Sequence, residues 1–464
     1  MNIIRYNEIC DYLRNIIVDS VYENHLYTVG GCVRDSILKH EIKDIDLVID
    51  LPNGGIDFSQ WLYNKSLLTH APVVYETYGT SMFCLKQFPD VELEAVQTRK
   101  EQYKNKNSRN PETCFGTIIE DCLRRDLTIN SLYYNVTSKE IIDITKHGIY
   151  DIKNHIIKTP CDPDITYSDD SLRILRAIRF SCCYKWEIDK NTFEGMIRNV
   201  DRLKIISQER ITDEFNKMLL NDNAVFALEL LYKTNAIKYV IPELIDTYNM
   251  SQGKYHFGTV WEHTMSVVDK LKGEDLTLKM AGLLHDIGKI KVRTIDENGN
   301  IHFYKHDNVS ADMSTSILRR MKYSNNFIRD VYFLIKNHMR TKPWGNICEN
   351  VKPKSIRKLQ YECSEKYFDS LLKLIEADNL SHAKNYCLDK QVKKICELTY
   401  EMMKNDEDML NYTLPVNGDD IMKALDLPPS EKIKRYIEIV KKICYKNPKI
   451  TKEDCIKQIK NIRL

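Results

Sequence analysis

The sequence predicts an α+β head followed by an all-α body, and three observations carry that reading. Short runs rich in β-branched and aromatic residues (HLYTV, IDLVI, MFCLKQF, VELEAV, SLYYNV) lie between turn signals in the first third of the chain. Beyond Asp169, apolar residues recur at helical spacing, as in SLRILRAIRFSCCY and NAVFALELLYKTNAIKYVI. The 464 residues exceed one core, and a norm of about 150 residues per domain implies about three units. We therefore expect a mixed-sheet head over 1–150 and a helical neck over 151–245. A third helical unit over 246–395 follows the connector PELIDTYNMSQGKYHFG, and a helical tail covers 396–464.

In order along the chain, MNIIRYNEICDYLRNIIVDS interleaves charges with apolar residues and predicts an amphipathic helix, not a signal peptide. No run approaches the ~18 apolar residues of a membrane span, so no membrane partner is expected. The 14 cysteines are scattered apart from Cys182-Cys183, without a C-x-x-C pair. Thiols in a reducing cytosol fit better than disulfides, which predicts a cytoplasmic protein. Net charge is only +2, yet Glu431–Leu464 holds eleven Lys/Arg against four Asp/Glu. Such a basic tail suits phosphate contacts, and equally suits a solvated helix face.

The stretch YTVGGCVRDSILKHEIKDIDLVID concentrates chemistry. Side chains alternate along a strand, so Asp44 and Asp46 share one face while Ile45, Leu47 and Ile49 cover the other. Two carboxylates one pleat apart repel unless cations hold them, and oxygen ligands of this kind suit Mg²⁺. Gly30-Gly31, between a strand and a helix starting near Cys32, lets backbone N–H groups approach an anion, with Arg34 available to phosphate. An anion cradle beside a metal pair predicts phosphoryl transfer with two Mg²⁺ ions.

VGGCVRDSIL…KDIDLVI resembles the head signature of the class II nucleotidyltransferases in the polymerase-β superfamily, which include bacterial CCA-adding enzymes and poly(A) polymerases. YGTSMF (Gly79, Thr80) and ELEAVQTRKEQY match the strands that follow. The resemblance implies a third catalytic acid at Glu94, five residues before Arg99, although Glu92 points to the same face. LRRDLTINSL resembles the ribose-recognising segment, which implies nucleotide-binding roles for Arg124, Arg125, Asp126 and Asn130. DITKHGIYDI (Asp143, Gly148, Asp151) resembles the hinge after it. In YSDDSLRILRAIRF, a helix would set Asp170 and Arg173 one turn apart, with Arg176 and Arg179 continuing the stripe. By resemblance, the Asp170–Arg173 pair is a protein template for the base. Cytosine and adenine both place an amino donor beside a ring-nitrogen acceptor, whereas uracil and guanine reverse the pattern. The chain carries Asp169 where the family usually has Glu. ISQERITDEF (Ser207, Glu209, Arg210, Glu214) matches the helix that steadies the neck.

The third unit carries WEHTM (His263), GLLHDIGK (His285, Asp286) and LIEADNLSH (Asp378), which resemble the H…HD…D ligand set of the HD phosphohydrolases. Imidazoles with carboxylates suit a divalent transition metal as well as Mg²⁺. His306 and His338 fall where a fuller site of that kind places further ligands.

The resemblance implies addition of CCA to tRNA 3′ ends from CTP and ATP. Two alternatives stand beside it: adenosine-only addition, and an HD phosphohydrolase with an inactive polymerase head. The polar stretch KEQYKNKNSRNPETCFGTIIEDCL, between Arg99 and Arg124, is 24 residues long and suits the flexible loop that CC-only relatives shorten. The tail segment LPVNGDDIMKALDLPPSEKI resembles the C-terminal region of firmicute CCA enzymes, where basic residues would meet tRNA, and no protein partner is evident.

Overall fold

The structure is a computed structural model that describes residues 1–102, 112–253, 256, 258–349 and 351–462. The chain forms two compact units, Met1–Pro242 and Glu243–Leu464.

The first unit opens with helix α1 (Ile3–Ile17), capped by the Asn2 side chain, which accepts from Arg5 N. It buries Tyr6, Ile9, Leu13 and Ile17, the spacing of a single helix face. Strand β1 (Leu26–Val29), helix α2 (Gly31–Leu38), strand β2 (Ile45–Ile49) and helix α3 (Gly54–Asn64) follow. Next come β3 (Val73–Tyr75), β4 (Thr80–Leu85), β5 (Phe88–Gln97), β6 (Arg99–Gln102) and β7 (Glu112–Phe115). Helix α4 (Ile118–Leu123) leads to β8 (Tyr133–Asn135) and β9 (Ile141–Ile142). Seven strands form one sheet in the order β3-β4-β5-β2-β1-β8-β9. Only the β2–β5 pair within it is parallel among the described residues, with Asp46 opposite Glu94.

A parallel pair needs a crossover connection, and α3 with β3 and β4 supplies it. Helix α3 lies against the sheet so closely that a Cβ at Gly55 would sit 2.6 Å from the Ala95 carbonyl oxygen, which only glycine tolerates. Tyr27, Val29, Val48, Cys122 and Tyr133 pack as one apolar cluster. The expected polar loop after Arg99 is partly regular instead. β6 and β7 pair antiparallel from Arg99↔Phe115 to Gln102↔Glu112, and Thr117 and Glu120 cap α4 reciprocally. Residues 103–111 of that loop lie outside the described residues.

The neck is helical: α5 (Gly148–Asn154), α6 (Pro163–Asp169), α7 (Leu172–Tyr184), α8 (Lys190–Asn199), α9 (Gln208–Leu220), α10 (Ala224–Lys233) and α11 (Ile237–Val240). The second unit holds α12 (Val260–Lys270), α13 (Leu276–Leu284), α14 (Lys289–Val292), α15 (His306–Arg320) and α16 (Asn325–Asn337). Helix α17 (Pro353–Asn379) bends at Ser364, whose φ is 51°. The chain closes with α18 (Gln391–Lys404), α19 (Gly418–Leu425), α20 (Glu431–Lys446) and α21 (Lys452–Lys460). Helices α19–α21 bury Ile421, Val440, Cys444, Cys455 and Ile459 in a core of their own. Among the described residues, no helix is long and apolar enough to cross a membrane.

Candidate functional site

In the head, the β1–α2 turn needs a left-handed residue, and Gly30 takes φ 76° there. A Cβ on Gly30 would lie 3.7 Å from Arg125 Nη1 and 3.9 Å from Asp46 Oδ2, so the turn touches both charges. Asp46 on β2 stands in register with Glu94 on β5, and Asp44 immediately precedes β2. Glu92 pairs with Cys84, one pleat further along, so Glu94 is the acid beside Asp46. Burial, then the neighbouring Glu94 and more weakly Asp44, push the Asp46 carboxyl up to about 6 against the opposing pull of Arg125. A cluster of acids that hinders its own ionisation is suited to bind cations.

Arg34 is buried and fixed. Its Nε and Nη2 fork onto Asp35 at 2.9 and 2.8 Å, and Nη1 donates to Asn130 Oδ1. Its guanidinium lies 5.0 Å from the Phe180 ring and 5.5 Å from Tyr184, whose hydroxyl also donates to Asp35. Asp121 anchors the next arginines from a fully buried position. It accepts from Arg124, from Arg125 Nη2 at 3.0 Å and from the Tyr133 hydroxyl at 2.6 Å. Burial would raise this carboxyl, but Arg125 and Arg124 outweigh it and hold it well below the ordinary range. Asp126 accepts from Asn130 Nδ2 at 3.1 Å and from Arg176 Nε at 2.7 Å. Arg176 chiefly overcomes the burial penalty there and lowers Asp126 to about 2.

The expectation of one helix through Asp170 and Arg173 fails. Helix α6 ends at Asp169, and Asp170 is extended (φ −143°, ψ 104°) before α7 begins. The physical reason is local: the Asp170 side chain accepts from Leu172 N at 3.0 Å, competing with helical hydrogen bonding. Its other oxygen pairs with Arg210 at 2.7 Å. Arg173 turns back, with Nη1 donating to Thr166 O at 3.1 Å. Arg179 pairs with the buried Glu214 at 2.6 Å and lies over Phe180, so α9 braces α7 through Glu214 and the α6–α7 junction through Arg210. In the hinge segment, Asp143 accepts from Thr145 and Ile149 N, and Asp151 accepts from Thr128.

In the second unit, four histidines share one device. Nδ1 of His263, His285, His306 and His338 donates to the carbonyls of Ser381, Gly282, Phe303 and Ile335 respectively. Each Nε2 is thereby left free to ligate. Among the described residues, two triplets could hold a metal ion, His263–His285–Asp286 and Asp286–His306–His338, and they share Asp286. Asp286 Oδ2 lies 3.2 Å from His285 Nε2, while Oδ1 lies 3.2 Å from His306 Nε2. Asp378 Oδ1 lies 3.2 Å from His263 Nε2. Among the described residues, His338 Nε2 is buried without a hydrogen-bond partner, which suits a ligand atom. Burial pushes His338 down to about 3, which keeps its ring neutral and able to ligate.

Family models match three stretches of the chain. Residues 26–158 match the poly A polymerase head domain, 186–247 match the probable RNA and SrmB-binding site of polymerase A, and 254–445 match the HD domain. The chain is 33% identical to the Schizosaccharomyces pombe tRNA nucleotidyltransferase cca1, over 54% of this chain and 52% of that protein. It is also 33% identical to a Limosilactobacillus reuteri CCA-adding enzyme, over 46% of this chain and 50% of that one. The chain thus spans about half the length of these relatives. The fold resembles the Bacillus stearothermophilus CCA-adding enzyme in complex with CTP, with a TM-score of 0.63 and 19% identity over 91% of this chain and 89% of that one.

Several contributors to the head and the HD domain escaped the sequence reading. Asp121, Tyr133 and Asp35 act by holding arginines, and nothing in their spacing distinguishes them from ordinary surface pairs. Lys289, one helical turn after Asp286, was legible as an i,i+3 partner and pairs with it at 2.7 Å.

Proposed function

We propose that the chain adds CCA to tRNA 3′ ends from CTP and ATP through its poly A polymerase head. The observation that carries this reading is the Asp46–Glu94 register pair, with Asp44 adjacent and the Gly30 turn against it. Asp44, Asp46 and Glu94 would hold Mg²⁺, and the raised Asp46 carboxyl fits a cluster short of cations. Two such ions, when bound, activate an attacking hydroxyl and stabilise the leaving pyrophosphate. The chain's own residues do the positioning. The backbone N–H of Gly31 opens α2 toward an anion while Gly30 N is tied to Leu132 O, Arg34 is held by Asp35 for the phosphates, and Arg125 offsets the carboxylates. Arg124, Asp126, Asn130, Arg176 and Arg179 form the braced wall for the nucleotide, and Asp170 with Arg173 would read the base. The names of the relatives, tRNA nucleotidyltransferase and CCA-adding enzyme, support this assignment of substrates.

The test supplies a tRNA transcript ending before CCA with labelled CTP and ATP, separately and together. Two C additions followed by one A support the reading. A long A tract, or A addition without C, replaces it with adenosine-only transfer, and no incorporation removes it. A second activity is favoured by the converging Nε2 atoms of the HD domain: metal-dependent hydrolysis of phosphate esters, with His263, His285, Asp286 and Asp378 holding the metal and His306 and His338 extending the set.

A further inference from the structure

Arg34 owes its position to a helix outside the phosphate-binding turn. Successive residues on a helix point about 100° apart, so Arg34 and Asp35 do not meet by default. Yet Asp35 takes the fork of Arg34 Nε and Nη2, and a third group draws its carboxylate round. The Tyr184 hydroxyl, at the end of α7, donates to Asp35 Oδ1 at 3.2 Å. Burial pushes that hydroxyl up to about 12, so it stays protonated and donates throughout the neutral range. The Tyr184 ring is itself held by neighbours: it stacks on Trp186 with centroids 4.8 Å apart and on His40 at 5.9 Å. On α7, Arg176, Phe180 and Tyr184 recur every fourth residue and line one face. Phe180 lies 5.0 Å from the Arg34 guanidinium, Tyr184 holds Asp35, and Arg176 reaches Arg34 through Asp126 and Asn130.

A guanidinium has five N–H donors, and among the described residues these bonds engage three of those on Arg34. The other two sit on Nη1 and Nη2, and a Cβ on Gly31 would lie 3.6 Å from Nη2. They therefore lie at the opening turn of α2, where a phosphate oxygen would also meet the Gly31 N–H. A guanidinium free to swing would lose rotamer entropy on each encounter with phosphate, and one already fixed does not. We infer that Tyr184 is a positioning residue for the triphosphate, its hydroxyl and ring fixing the Asp35–Arg34 pair with two donors aimed at the phosphates. The inference rests on the nucleotidyl-transfer reading of the head and adds a residue of the neck to its triphosphate site.

The full-length protein with Mg²⁺ is titrated calorimetrically with CTP, tripolyphosphate and cytidine. Tyr184→Phe keeps the ring and removes only the hydroxyl. It should weaken CTP and tripolyphosphate about 3- to 10-fold and leave cytidine within about twofold. Tyr184→Leu, which removes the ring as well, should weaken the same two ligands further. In an Arg34→Ala background, Tyr184→Phe should change CTP affinity by less than about twofold, since no guanidinium remains to be positioned. A merely structural Tyr184 would move cytidine together with CTP and would act with or without Arg34. Binding at the second unit is common to all variants and cancels in the comparison. The inference is overturned if Tyr184→Phe binds CTP and tripolyphosphate like the parent, if cytidine weakens in step with them, or if the full penalty persists without Arg34. Should Tyr184→Leu lose its thermal transition, Tyr184→Phe in the two backgrounds decides. Failure of the nucleotidyl-transfer reading shows separately, as no incorporation of labelled CTP into a tRNA transcript by a parent protein that binds CTP.

Discussion

Asp46 in the head shares its face with Glu94 and Asp44, and its carboxyl is pushed up to about 6. Asp286 and Asp378 in the HD domain are more deeply buried, yet both are held well below the ordinary carboxylate value. Burial raises all three, so the sign is decided by neighbours. The head places acids beside acids and leaves Arg125 to offset them alone, whereas the HD centre surrounds each acid with histidine and a lysine. A cluster with unanswered negative charge draws its cations from solution. The HD centre answers its negative charge with groups of the chain itself.

Four experiments sharpen or break this contrast, from the largest effect to the smallest. Asp46→Ala should cut labelled CTP incorporation by about a thousandfold or more while circular dichroism stays native, because a hard cation loses its central ligand. Incorporation at the parental rate would end the metal assignment. Asp286→Asn should lower metal content at the HD centre by about 10- to 100-fold, read by elemental analysis, and leave CTP incorporation unchanged. A parallel fall in both would show that the two sites are not independent.

The third experiment reads pH. Folding raises the Asp46 pKa, so the folded chain binds this proton more tightly than the unfolded one. Its contribution is present below the unfolded value near 4 and is lost as pH climbs through 6, a loss of about 2–3 kcal/mol. Asp46→Asn should therefore be more stable than the parent at pH 7 without Mg²⁺ in urea denaturation, and the gain should vanish near pH 4. A destabilised Asn variant at pH 7 would contradict the repulsion among the acids. Finally, Arg173→Ala should reduce discrimination between CTP and UTP about tenfold, with a smaller change in triphosphate affinity. Unchanged selectivity would remove Arg173 from base reading, and its bond to Thr166 O would then be purely structural.

Much of the head was legible. The five strand-like runs became β1, β2, β4, β5 and β8, because each combines β-branched or aromatic residues with a flanking turn, and the mixed head with a helical body matches the expected fold class. The short edge strands β3 and β9 were not legible, since Val73–Tyr75 is exposed and carries no alternation to read. The break at Asp170 was missed because helical periodicity in the neighbouring residues continues across it. A single Asp side chain bonding to Leu172 N outweighs that periodicity.

Residue types and short spacings determined which groups are available: a glycine turn, alternating aspartates, a histidine–aspartate pair and a stripe of arginines. These are properties of at most a dozen neighbouring residues, and hydrogen bonding and side-chain alternation act on that scale. Tertiary structure alone decided that Glu94 rather than Glu92 meets Asp46, that Asp121 holds Arg124 and Arg125, and that two lysines face the HD aspartates. Strand register, burial and the sign of a pKa shift are set by partners distant in the chain, and only folding brings those partners within electrostatic reach.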